Sequence, residues 1–536
     1  MKKKTVLKMF SAAALSLSLL AGCTNGDSAN RGSIGDREED PTPTEEAAPV
    51  ETDPTPTPEP DIEPEPVAED PEYRQLEFTS YTIGNNYYDK DLEMNLVSMK
   101  ADIIELLDDD HPQLSAAINE YNDKQREDIE GEPFETLKEN AEEMISSGFG
   151  GMELYDNRNI YIERADSVVT SIINSYDNYT GGAHGMYGVN PAVYDSLSGD
   201  ILNIDDVLEG DKILELPGIL AEKLLDEYDK EIFNDPEDLA STISQIYMDN
   251  GDLQFSLGYE GLSVYFNVYT LGPYASGMQI VTLKYEDYPG LVKEKYTECA
   301  SDYFISSYAL TGTLPHSDKS FYAGAASDDD YSMSLYYELD GATYTDKFYG
   351  YDADIWIATI GHINYMYVDV LHENDYESLR IYSLDENNPG FVAEFDGGFY
   401  NRVPADPFEF RIYERGDLMS TYDMYKYYYI GRNGEPVSSD PFYIIDMGEY
   451  SQFYLNPKKD MDVSVRASED SSTYTEKTIK PSDKMYFYAT DNKSWEEFKL
   501  DDGSIVHFDI DQPLGYPQSI DGVDINELFD RIMFAG

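Results

Sequence analysis

Cysteine is nearly absent from this sequence of 536 residues, which contains only Cys23 and Cys299. A chain with two cysteines cannot rely on several disulfide bonds for its stability, as many small extracellular domains do. Its stability must therefore come from side-chain packing. The length beyond residue 72 is sufficient for this, because it corresponds to about two or three ordinary domains with their own cores.

Basic residues are also scarce. Lysine and arginine number 37 against 106 aspartates and glutamates, which gives a formal net charge of −69 and a pI near 4.1. A field of this sign repels nucleic acids and anionic lipid headgroups, and it attracts cationic proteins and divalent ions. We therefore expect no nucleic-acid ligand and favour a cationic partner. The alternative is that the charge serves solubility alone.

Catalytic motifs are missing as well. The sequence contains no HExxH, CxxC, GxSxG or SxxK motif, and its six histidines include no pair with metal-site spacing. The segment EFDGG at residues 394–398 is similar to part of a metal-dependent deacetylase motif but lacks the histidine pair. These absences favour a protein that is not an enzyme. A pair of carboxylates for glycoside cleavage stays open, because so many acidic residues allow many pairings.

The long apolar run at the start of the chain indicates a lipoprotein signal. Four lysines precede the apolar residues 9–20, which are too few to span a bilayer, and the segment ends with LAGC at residues 20–23. This order of basic, apolar and small residues predicts a signal peptide over residues 1–23 and a lipid on Cys23. We therefore expect a lipid anchor on the extracellular face of the cell membrane in a Gram-positive envelope. Lipidation leaves Cys299 without a partner in the chain.

Residues 24–72 repeat prolines and acidic residues, as in DPTPTPEPDIEPEP, and contain almost no apolar side chains that could form a core. Proline favours extended backbone and neighbouring carboxylates repel each other, so this segment is predicted to be a disordered spacer.

The remaining chain changes composition twice. Residues 73–296 mix amphipathic helical patterns with alternating strand patterns, which indicates an α+β domain. Residues 300–455 are rich in tyrosine and short strand patterns separated by turn residues, which favours an antiparallel β meander or sandwich. Residues 456–536 resemble bacterial SH3-like small barrels, with a tryptophan strand at Trp495. The predicted fold class is thus an α+β domain followed by mostly antiparallel β domains.

Three segments carry a resemblance to a known family. They are YTGGAHG at residues 179–185, YDSLSGDILNIDDVL at 194–208 and EGLSVYFNVYTLGPYASGMQIVTLKY at 260–285. In order and spacing they resemble the extracellular domain of RsiV-type anti-sigma factors that sense lysozyme, and the non-catalytic region of PdaC-type peptidoglycan deacetylases. The resemblance covers roughly residues 74–296, under half of the chain. It implies a binding domain. We expect no cofactor, with calcium as the alternative considered below.

The candidate binding residues come from these segments. The glycines of YTGGAHG allow a sharp turn that presents His184 beside Tyr179. Tyr265, Tyr269 and Tyr274 are candidates because tyrosine combines an apolar face with a hydroxyl group and is favoured at interfaces. The alternative for the tyrosines, above all for Tyr265 and Tyr269 if they share a face, is core packing. For His184 the alternatives are a structural role and a pH-sensitive one.

The leading hypothesis is therefore a non-catalytic surface lipoprotein that binds a cationic protein such as lysozyme, or peptidoglycan. One alternative is an envelope enzyme that acts on peptidoglycan or other glycans. Another is a receptor for a solute or for calcium, with Asp328, Asp329 and Asp330 as an acidic loop; such a triplet is more often a solvated loop.

Overall fold

The computed structural model describes residues 74–149, 151–309, 312–329, 331–385, 388–448, 452–469, 471–511 and 517–534. The predicted lipidation site, Cys23, and the predicted spacer at residues 24–72 lie outside these ranges. Within them, no helix combines the length and apolar character needed to cross a membrane.

The α+β region begins with a long sheet packed against two helices. Helix α1 starts at a proline and places Leu114, Ile118 and Ile129 on one face, which packs against the sheet. The helices form the crossover between two strands, which explains why β2 and β3 are parallel while their neighbours are antiparallel. The elements are β1 (Phe78–Asp89), β2 (Met94–Leu106), α1 (Pro112–Glu130), α2 (Glu132–Ser146), β3 (Leu154–Ala165), β4 (Val169–Tyr179) and β5 (Met186–Asp195).

A second layer completes this region. Apolar side chains of its helices pack against a three-stranded sheet, and they form a core with Val169 and Val193 of β4 and β5. Strands β6 and β7 form a hairpin that turns through Tyr259 and Glu260, with Leu257 opposite Leu262. The elements are α3 (Ile204–Val207), α4 (Leu216–Glu227), α5 (Leu239–Asn250), β6 (Phe255–Leu257), β7 (Gly261–Phe266), β8 (Gln279–Lys284) and α6 (Glu294–Thr297).

The tyrosine-rich region forms a three-stranded sheet, β10-β11-β12, and a five-stranded sheet in the order β16-β15-β14-β13-β9. Strands that follow each other in sequence pair in both sheets, as in the predicted meander, except that β9 pairs with β13. Their bounds are β9 (Tyr303–Ser306), β10 (Phe321–Asp329), β11 (Ser332–Leu339), β12 (Ala342–Tyr349), β13 (Asp352–Ile360), β14 (Ile363–Leu371), β15 (Glu377–Ser383) and β16 (Gly390–Asp396).

The last large sheet has nine strands and runs across residue 455, where the sequence predicted a boundary. Its central path is β18-β19-β21-β25-β26-β27-β23-β24, and β20 pairs with β19. Its elements are β18 (Phe410–Gly416), β19 (Tyr422–Ile430), β20 (Pro436–Val437), β21 (Tyr443–Asp446), β23 (Met461–Arg466), β24 (Tyr474–Ile479), β25 (Met485–Thr490), β26 (Trp495–Leu500) and β27 (Ile505–Asp509).

All sheets among the described residues are open. The SH3-like small barrel expected for residues 456–536 is therefore not formed by the described residues, because β25 pairs outward with β21 instead of closing a ring. The short elements that remain are β17 (Arg402–Val403), which pairs with β1, and β22 (Asn456–Pro457), β28 (Ser519–Ile520), β29 (Val523–Asp524), α7 (Ile525–Leu528) and β30 (Phe529–Asp530).

Candidate functional site

The YTGGAHG run is a tight connection between β4 and β5. Gly181 and Gly182 have φ angles of +100° and +114°, which side chains rarely permit. A Cβ atom at Gly185 would lie 2.6 Å from the carbonyl oxygen of Asn178. Tyr179 is only 9% exposed, and its hydroxyl donates to the carbonyl oxygen of Gly182 at 2.9 Å. Tyr179 therefore stabilises the turn through its hydroxyl group, and its ring is not exposed at the surface.

The loop after β7 lies against this turn and is fixed to β5 by one side chain. The amide of Asn267 accepts a hydrogen bond from the backbone N–H of Val189 and donates to its carbonyl oxygen, both at 2.9 Å. The loop then places Tyr269 at φ +71°, an unusual conformation for a bulky residue. Tyr269 is 52% exposed, so this strained backbone presents an aromatic ring to solvent.

His184 joins the two loops through its ring. The imidazole stacks on Tyr274 with 4.0 Å between ring centroids. Its Nδ1 lies 2.9 Å from the carbonyl oxygen of Gly185, and its Nε2 lies 3.1 Å from the hydroxyl of Tyr269. Because a carbonyl oxygen can only accept, Nδ1 donates to Gly185, and Nε2 shares a hydrogen bond with the hydroxyl of Tyr269. The ring is exposed, yet both of its nitrogens are engaged.

Two further tyrosines extend this group, and sequence reasoning missed both. Tyr187 meets the ring of Tyr274 edge-on at 5.8 Å. Tyr155 hydrogen-bonds to Asp177, and burial followed by the charge of this carboxylate raises the pKa of Tyr155. The pairing of β3, β4 and β5 brings these positions together. We call the set of Tyr155, His184, Tyr187, Tyr269 and Tyr274 the aromatic platform.

An apolar fringe borders the aromatic platform. Met152 is exposed, and its sulfur lies 3.9 Å from the hydroxyl of Tyr179. Phe149 is 73% exposed and is bonded through its backbone N–H to Met144, whose sulfur lies beside Gly181. Exposed aromatic and methionine side chains of this kind are typical of surfaces that bind a partner.

Tyr265 lies apart from the platform. It is 4% exposed, and its hydroxyl is 2.8 Å from the Ser256 hydroxyl in the interior. Burial and the neighbouring Glu163 raise its pKa well above the ordinary value. Strand β7 ends at Phe266, so the face that holds Tyr265 does not continue to Tyr269. Tyr265 therefore packs in the core, which is the alternative that the sequence left open.

Asp328 is the member of the acidic triplet whose side chain the structure describes. Asp328 accepts hydrogen bonds from Lys347 and from Ser334, both at 2.6 Å. Asp330 lies outside the described residues. Among the described residues, no group of three or more histidine, cysteine, aspartate or glutamate side chains could hold a metal ion.

The chemistry of the platform is recognition by stacking and hydrogen bonding. Its hydroxyls and the imidazole can donate to or accept from a ligand, and its rings can stack on apolar, aromatic or cationic groups. Asp177 adds a carboxyl group whose pKa is raised, chiefly because of burial. The described residues of the platform contain no nucleophile paired with a general base.

Among known proteins, the chain is similar only in structure to those described below. No family model matches the chain, and no curated protein matches it either. Among solved structures, the chain is similar to a member of the DUF3298 family from Bacteroides fragilis, with 18% identity, a TM-score of 0.33, and coverage of 42% of this chain and 96% of that one. It is also similar to a DUF3298 family protein from Pseudomonas aeruginosa, with 15% identity, a TM-score of 0.29, and coverage of 41% and 97%. These structural neighbours belong to a family of domains of unknown function.

Proposed function

We propose that this chain is a non-catalytic cell-surface lipoprotein that uses the aromatic platform to bind a cationic protein of the lysozyme kind or a cell-wall component. The observation that carries the proposal is the exposed contact of His184 with Tyr269 and Tyr274, held by a strained loop. A strained backbone that exposes an aromatic ring has no benefit for folding, and such strain is typical of binding sites.

The charge of the chain favours a cationic protein over a neutral polymer. The net charge of −69 steers basic partners toward the surface, and this attraction weakens as salt increases. The platform then supplies short-range contacts through tyrosine rings, which are common among the residues that dominate binding energy. Peptidoglycan is the second candidate, because sugar rings stack on exposed aromatic side chains.

Calorimetry with hen lysozyme and with purified muropeptides tests this proposal. We expect His184→Ala and Tyr269→Ala to weaken binding by about tenfold or more, as is usual for central contacts of an interface. Tyr336→Ala is the matched control, because this tyrosine is also exposed but lies on β11. Equal affinity in all three variants, or an affinity for lysozyme that is the same at low and high salt, would contradict the proposal.

The membrane anchor is tested separately. Metabolic labelling with an alkyne fatty acid should mark the native chain and should not mark Cys23→Ala, which should also leave the membrane fraction. The alternative of an envelope enzyme is tested by zymography on purified peptidoglycan. Turnover by the purified chain, abolished by one substitution in the chain, would overturn the proposal that it only binds.

A further inference from the structure

Strand β1 lies at the edge of the first sheet over most of its length. Strand β17 pairs with β1 only at Phe78 and Thr79, and the backbone N–H of Ser80 then donates to the carbonyl oxygen of Asn401 at 2.6 Å. Strand β1 continues to Asp89, and its other partner among the described strands is β2. Beyond Ser80, the side of β1 that faces away from β2 is therefore paired with no strand that the structure describes.

The hydrogen bond of Ser80 shows which residues present their backbone groups at this edge. Successive residues of a strand direct their N–H and C=O groups to opposite sides, so Thr82, Gly84 and Asn86 direct theirs outward, as Ser80 does. Within the described ranges, no backbone hydrogen bond outside the β1–β2 ladder engages these three residues. The edge thus offers a row of donors and acceptors that fits another extended chain.

The sequence of this edge lacks the features that usually prevent such pairing. Exposed edge strands are commonly protected by charged side chains or by proline. The stretch SYTIGNNYY at residues 80–88 contains neither, although charged residues make up 27% of the chain. Other edge strands of the chain do carry charges, with Glu394 and Asp396 on β16 and Glu476 and Lys477 on β24. The uncharged edge of β1 is therefore suited to pairing with another strand.

Gly84 lies at the centre of this uncharged stretch. Its φ angle is not in the left-handed region, so the conformation of the strand does not require glycine. Glycine inside a strand weakens the strand and often marks a place where another backbone approaches closely. The position of Gly84 on the exposed edge therefore agrees with a second strand that lies alongside β1.

The same stretch can pair with a second copy of itself. In an antiparallel pair centred on Gly84, this glycine faces its own counterpart, and Thr82 faces Asn86 of the second copy. Each of these pairs exchanges two backbone hydrogen bonds, because all three residues direct their backbone groups outward. Between them, Tyr81 faces Tyr87 of the second copy, which is an aromatic cross-strand pair of the kind that stabilises sheets.

The ends of this pairing also fit the shape of β1. The register of β1 against β2 shifts between Tyr87 and Tyr88, and such a bulge bends a strand. This bend lies opposite Ser80 of the second copy, where the edge is already occupied by Asn401. Regular pairing therefore ends where the free edge ends.

We propose that two copies of this chain associate through β1, which forms an antiparallel pair centred on Gly84 and joins the two six-stranded sheets. The contact is isologous, so it closes with two copies. An uncharged edge gives a basic peptide no ionic partner, whereas it lets two acidic chains approach without opposing charges. The aromatic platform includes the turn before β5, at the other edge of the sheet, so this association does not depend on the function proposed above.

Sedimentation velocity of the Cys23→Ala chain at a series of micromolar concentrations tests the proposal without a lipid on this residue. We expect a dimer whose affinity increases with salt, because salt screens the repulsion between two chains with a net charge of −69 each. The binding of a cationic protein should weaken with salt, so the two proposals fail separately. A monomer at every concentration and salt, or an assembly that grows beyond two copies, would overturn the proposal.

Substitutions at Gly84 distinguish β1 from other contacts. Gly84→Glu and Gly84→Lys each place like charges opposite each other, and each should weaken the dimer by at least about tenfold. A mixture of the two variants should recover the dimer, which also checks that both fold with a Cβ atom 3.2 Å from the carbonyl oxygen of Met99. Thr345→Glu is the matched control, because it adds a charge to the exposed edge strand β12. Equal affinity in Gly84→Glu and the parent chain would refute the contact.

Amide hydrogen exchange needs no substitution in β1. The N–H groups of Thr82, Gly84 and Asn86 should exchange slowly in the dimer and quickly after dilution to the monomer. The N–H groups of Tyr81 and Ile83 face β2 and should exchange slowly in both states. If the outward groups exchange quickly in the dimer, the two copies associate through another surface and the pairing of β1 is wrong.

Discussion

Glu163 gives the sharpest stability prediction. It lies on β3 with only 4% of its surface exposed, and its Oε2 atom accepts no hydrogen bond from the described residues. Its Oε1 atom lies 3.0 Å from the position of a Cβ atom at Gly258, so neighbouring backbone crowds the carboxyl group. Burial raises its pKa from 4.5 to about 7, and a hydrogen bond from Ser256 offsets only part of this effect.

The sign of the effect follows from the two pKa values. The folded chain holds the proton of Glu163 more tightly than the unfolded chain, so its stability falls as pH rises from about 4.5 to about 7. The full difference corresponds to roughly 3 kcal/mol, and roughly 2.5 kcal/mol of it falls between pH 5 and pH 8. Glu163→Gln removes the ionisation, and any cost of the new amide is the same at both pH values.

Urea unfolding of the native chain and of Glu163→Gln at pH 5 and pH 8 measures this effect. The free energy of unfolding of the variant, relative to the native chain, should rise by roughly 2.5 kcal/mol between the two pH values. Glu153→Gln is the control, because Glu153 is exposed and lies just before β3. If Glu163→Gln changes stability by the same amount at both pH values, the reasoning about its buried carboxyl group is wrong.

Three further outcomes follow from the same structure. Arg164→Met should lower the free energy of unfolding by about 3–5 kcal/mol in urea, because it leaves Asp166 buried without its ion-pair partner at 2.7 Å. In a Cys23→Ala chain, Cys299 should react slowly with a thiol reagent at pH 8 and quickly in urea, since burial raises its pKa to about 11. Gly188→Ala should lower the melting temperature by several degrees, because the new Cβ would lie 2.6 Å from the side-chain oxygen of Asn267, which fixes the loop after β7 to β5.

Local features of the fold were predictable from the sequence, and distant pairings were not. The helices after Pro112 and Glu132 follow from apolar spacing and from proline at the start of each helix. The addition of Arg402 and Val403 to the edge of β1 joins positions more than 300 residues apart, and no local pattern encodes it. The sheet across residue 455 went unforeseen for the same reason, because a strand pattern does not identify its partner.

The residues of the candidate site also fall into two groups: those that a local pattern predicts and those that only strand pairing brings together. The YTGGAHG turn and its exposed histidine were predictable, because glycines at positive φ leave a local signal in the sequence. Tyr155 and Tyr187 join His184 only through the register of β3, β4 and β5. Tyr265 was placed with Tyr269 by spacing alone, which could not reveal that the strand ends between them.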